Sequence, residues 1–95
     1  MANTASAMDI WRRLFQGWPT DVPRRGVIVT VQNEQIPFDG FADGPQLLFI
    51  DRSTPDSLGG RKIILPYENI AALKLIDVVK AKSFAALGFA SGGKP

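Results

Sequence analysis

The chain has no cysteine and no histidine among its 95 residues. Without cysteine there are no disulfides, no thiolate metal ligands and no cysteine nucleophile. Without histidine the commonest general base and the commonest metal ligand are missing, so a Ser-His-Asp triad and a histidine-ligated zinc site are excluded within this chain. An excess of charge of either sign is also lacking: 11 Lys and Arg against 9 Asp and Glu leave a net +2. That balance permits a local basic patch and does not require one. Long apolar runs are also lacking, so no membrane-spanning segment is expected. Residues 1–4, Met-Ala-Asn-Thr, lack the basic and apolar regions of a secretory signal. The resulting expectation is a cytoplasmic protein.

What the chain does have is an ordinary share of apolar residues, 45%, at a length suited to one domain over residues 1–95. A domain this small buries a modest fraction of its surface, so self-association is a natural supplement.

Residues 1–5 read as a frayed end. A helix is expected over about residues 6–17. Ser6 with Asp9 three residues on resembles a capping box, and Met8, Trp11, Phe15 and Trp18 form one apolar stripe with Leu14 beside them. Gly17 and Pro19 close it. Two tryptophans on so short a helix point first to packing, with base stacking as the alternative.

Residues 26–77 hold five short apolar runs separated by turn residues. The runs are 26–32, 35–42, 46–52, 61–65 and 70–76. Asn33-Glu34 marks a tight hairpin turn, Asp43-Gly44-Pro45 a second turn, and residues 53–60 a polar loop. Pro37 is expected at a strand start or an edge, and Gly40 at a sharp bend. Pro66-Tyr67-Glu68-Asn69 leaves almost no linker between the last two runs. Five strands at this spacing predict a mainly β fold, a small five-stranded barrel. A short C-terminal helix is expected from about residue 78, within 77–87, capped by Gly88 with Phe89 as its apolar contact. Residues 90–95 read as a loose tail.

The order of these elements resembles the Sm and Hfq-like proteins, small barrels of SH3 type with an N-terminal helix. Asn33-Glu34 falls at the position of their first hairpin turn, and Gly40-Phe41 is similar to their bend glycine and its apolar neighbour. Asp43 followed by Gln46-Leu47-Leu48-Phe49 resembles the first family motif, and Leu65-Pro66-Tyr67-Glu68-Asn69-Ile70 the second. The likeness covers about residues 8–77. The family's Arg-Gly pair is Pro66-Tyr67 here, and the Lys-His pair of Hfq has no counterpart.

The resemblance implies a homo-oligomeric ring in which the fourth strand of one subunit pairs with the fifth of the next, and it implies single-stranded RNA as partner. The run Lys62-Ile63-Ile64-Leu65 independently reads as a sticky edge, which a monomer would have to cover. On the RNA reading Tyr67 stacks on a base, Asn69, Gln46 and Asp43 belong to the loops that meet RNA, and Arg61 and Lys62 meet phosphates. Each has a plainer role: Tyr67 in packing, Asn69 in capping the turn, Arg61 and Lys62 as solvated charge.

Arg12-Arg13 and Arg24-Arg25 form two basic pairs that a folded domain can place on one face. Arg24 and Arg25 before the first strand, with Asp51-Arg52-Ser53 later, also resemble PilZ domains, which bind cyclic di-GMP. The arginine spacing and the position of the later glycine depart from that pattern. Asp39, Asp43, Asp51 and Asp56 lie close in sequence but lack the spacing of a calcium loop. No catalytic residue, cofactor or metal is expected, and the chain reads as a non-enzyme. The alternative to the RNA-binding ring is a structural or protein-interaction barrel without nucleic acid.

Overall fold

A computed structural model describes residues 6–89. The expectations of a frayed start over residues 1–5 and a loose tail over 90–95 lie outside the described residues.

Helix α1, Ala7–Gln16, begins where the Ser6 hydroxyl accepts the Asp9 amide at 3.1 Å, and ends where the Gly17 amide donates to the Arg13 carbonyl. Asp9 in its first turn and Arg13 in its last complement the helix dipole. Phe15 is its fully enclosed residue, with Met8, Trp11 and Leu14 half-buried beside it. The apolar stripe continues past the helix into Trp18, whose indole Nε1 donates to the Val22 carbonyl at 3.0 Å. Phe15 stacks on Trp18 at 5.6 Å between centroids and meets the Phe41 edge at 5.0 Å. These rings seat the helix on the sheet.

Five strands follow: β1 Gly26–Thr30, β2 Gln35–Asp43, β3 Leu47–Arg52, β4 Lys62–Pro66 and β5 Ile70–Lys74. All are antiparallel, in the order β4-β3-β2-β1-β5. Burial alternates in β1, where Gly26, Ile28 and Thr30 face the core. Ile36, Phe38, Leu48, Ile50 and Leu65 complete the inner face.

The first hairpin turns at Asn33, which adopts φ 70°. Asparagine tolerates that left-handed conformation, and the Thr30 hydroxyl accepts the Glu34 amide to hold the turn. The register of β2 on β3 slips between Phe38 and Gly40, a bulge at the expected bend. Pro37 departs from expectation. It lies inside β2, opposite Val27, in a strand with neighbours on both sides. It is tolerated there because the β3 ladder starts only at Phe38 opposite Arg52.

The chain is thus mainly β: a five-stranded antiparallel sheet with an N-terminal helix. The sheet is open, with β4 and β5 as its two edges, although a single 3₁₀ turn, Tyr67–Asn69, separates them in sequence.

The C-terminal segment is a 3₁₀ helix, Ala81–Leu87, kinked at Phe84, shorter and tighter than the helix expected over 77–87. Lys80 offers its first turn no side-chain cap, and Val78 is fully exposed. Two anchors fix the segment instead. Phe84 is buried edge-on to Trp18 at 6.1 Å, and the Ser83 hydroxyl donates to Asp21 at 2.8 Å. Gly88 caps it at φ 99°, with Phe89 against Phe84 at 6.4 Å, as the sequence suggests.

Candidate functional site

The turn Tyr67–Asn69 and the 43–46 loop meet at one end of the sheet. Tyr67 is fully buried, and its hydroxyl donates to the Gly44 carbonyl at 2.8 Å. Its ring lies 6.3 Å from Phe15. Burial, then the nearby Asp43 charge, push the phenol above its ordinary pKa of 10.0. Tyr67 therefore pins two loops together, and its ring is not presented to a base.

Around that pin lie Asp43 and Gln46, both exposed, and Asn69, half-buried, whose carbonyl accepts the Val31 amide at 2.8 Å. Two arginines join them from outside the sheet. Arg12 donates to the Pro45 carbonyl at 3.3 Å and pairs with Asp9 at 2.7 Å. Arg24 lies 3.8 Å from the Asp43 carboxylate, its guanidinium 3.9 Å from the Phe41 ring centroid. The assembled surface thus holds two cations, the Asp43 carboxylate, the Gln46 and Asn69 amides and backbone carbonyls over an aromatic floor.

Arg61 and Lys62 do not belong to this surface. Pro66 faces Leu47 at the loop end of the β3–β4 pair, and Lys62 faces Asp51 at the other end. Four residues of strand separate the two ends by roughly 13 Å. Lys62 is ion-paired with Asp51.

Arg24 and Arg25 are also divided. Arg25 grips Asp77 with two hydrogen bonds of 3.0 and 2.7 Å, while Arg24 serves Asp43 and Phe41. The bidentate pair holds the Asp77 carboxyl below its ordinary range.

The clustered aspartates disperse as well. Asp56 accepts the Leu58 and Gly60 amides at 2.9 and 2.7 Å, which keeps its carboxyl low and shapes the 53–60 loop. Among the described residues no three Asp or Glu side chains converge as metal ligands.

Two apolar features complete the surface. On the outer face Leu47, Phe49 and Ile64 are exposed at 48, 38 and 61% of their area, with Phe49 directly opposite Ile64. Beside β5, an edge strand among the described residues, opens a mostly apolar cleft of about 460 Å³, lined by Trp11, Leu73, Leu75, Val79 and Phe84, with Asp77 and Lys80 also in its wall. The strand spacing carries a signal for the first: Leu47 and Phe49 alternate with buried Leu48 and Ile50. The cleft and the Arg12–Pro45 contact join segments distant in sequence, and no local pattern marks them.

No helix among the described residues is long and apolar enough to cross a membrane. No protein-family model, curated protein or solved structure matches the chain.

Proposed function

We propose that this protein is a non-enzymatic, divergent Sm-like barrel that assembles through β4 and β5 into a closed homo-oligomeric ring. The carrying observation is the strand order. It puts β4 and β5 at opposite edges of an open sheet, each with no further strand beside it among the described residues. Neither edge is blunted by charge at its centre: Ile63, Ile64 and Leu65 on one, Ala71, Ala72 and Leu73 on the other. Pairing β4 of one copy with β5 of the next is heterologous and closes into a ring when the rotation per copy permits. Hydrogen exchange tests this directly. The β4 and β5 amides exchange slowly in a ring, whereas edge amides of a monomer exchange quickly.

The ring's ligand on this reading is single-stranded RNA, taken at the loop end by Arg12, Arg24, Gln46 and Asn69 without Tyr67. Binding to short U-rich or A-rich RNA then falls steeply with salt. Arg24→Ala leaves one phosphate without its cation and reduces that slope by about 0.7. The enclosure of Tyr67 favours a second reading, a protein-interaction ring without nucleic acid. Salt-insensitive or absent RNA binding by an intact ring selects it.

A further inference from the structure

The cleft beside β5 and the exposed patch on β3 and β4 belong to opposite faces of the sheet. Leu73 lines the cleft and pairs with Ile28, a fully buried inner-face residue. Leu47, Phe49 and Ile64 lie on the outer face, alternating with the buried Leu48, Ile50 and Leu65. A single copy therefore does not lay its own patch in its own cleft.

We infer that the cleft is the seat for the Leu47, Phe49 and Ile64 patch of a second copy of this chain. This rests on the edge-to-edge assembly proposed above, and the sheet topology carries it. Four antiparallel steps separate β4 from β5, so the two edges run in the same direction. A second copy that lays its β4 antiparallel along β5 keeps the strand order and reverses the strand direction. At the shared edge these two conditions together reverse which face of the sheet points to a given side, while the bend of each sheet sets the overall rotation from copy to copy. Its outer face then arrives on the side of the first copy's inner face.

Ile64 and Phe49 of the second copy thus come to the side of Leu73, Leu75 and the cleft. Backbone edges and both apolar surfaces are covered in one contact. A parallel addition brings Ile63 and Leu65 to that side instead. Leu65 is already buried in its own core and Ile63 packs against it, so patch and cleft both stay wet. Pairing β4 with β4, or β5 with β5, buries one surface and leaves the other.

The absence of cysteine makes the test clean. Ile64→Cys and Leu75→Cys chains, distinguishably tagged, are co-expressed, purified and treated with a short thiol cross-linker. Phe49→Cys and Val79→Cys serve as a second pair should either first variant fold poorly. The expected result is a cross-link between the two differently tagged chains, and none when either variant is expressed alone. An oligomeric wild type with no mixed cross-link overturns the seat and leaves the edge assembly standing. So does an Ile64→Cys chain that cross-links to itself. A cleft filled by residues 90–95 or by another molecule gives the same uncross-linked outcome. A wild type that stays monomeric at high concentration removes the assembly and the seat together.

Discussion

At the residue scale Tyr67 joins stability to the loop surface. Removing its hydroxyl with Tyr67→Phe strands the Gly44 carbonyl and costs about 1 kcal/mol in a denaturant titration. Because its folded-state pKa is raised, the folded chain holds the phenolic proton more tightly than the unfolded chain does. That contribution is present in full below pH 10 and is lost as pH rises through the folded value. The chain has one tyrosine, so tyrosinate absorbance reads this group alone. Its onset coincides with alkaline unfolding in the wild type. Asp77 behaves in the opposite sense. Its depressed carboxyl stabilises the fold above its ordinary 3.8 and loses that effect as pH falls through the folded value. Arg25→Ala removes the hydrogen bonds behind the depression and moves acid unfolding to higher pH. The sequence marks Tyr67 as notable but does not show which way it faces, because its partner is a carbonyl 23 residues away.

At the element scale the strands were legible because their alternation and turn residues are local signals. Each begins or ends within two residues of expectation, with turn chemistry at Asn33 and a bulge before Gly40. The C-terminal segment was less legible. Its geometry comes from Phe84 against Trp18 and Ser83 on Asp21, contacts that no helical period encodes. Helix α1 was legible in its cap and its stripe, and both are testable. Ser6→Ala removes the cap and costs about 1 kcal/mol. Phe15→Ala opens the aromatic core and costs about 3–5 kcal/mol, read as a fall in the denaturant midpoint at unchanged slope. Between strands, Gly26 allows β1 to approach β5. A Cβ there would sit 2.5 Å from the Lys74 carbonyl, so Gly26→Ala displaces β5 or destabilises the sheet by about 1–3 kcal/mol.

At the scale of the whole molecule the open sheet is the feature that asks for a partner. The sequence showed an apolar fourth strand and a very short link to the fifth, which made edge pairing an expectation. The complementary cleft was hidden, because α1, β5 and the C-terminal 3₁₀ helix build it from separate parts of the chain. The loop-end surface was half legible. Asp43, Gln46, Asn69 and Tyr67 do gather there, Arg61 and Lys62 do not, and Arg12 arrives from a helix whose docking is set by rings. Solution mass by light scattering during size-exclusion chromatography tests the central claim most directly. A ring gives one peak at an integral multiple, three or more, of the 10.3 kDa chain, constant on dilution. A peak at 10.3 kDa across the accessible concentrations contradicts the account.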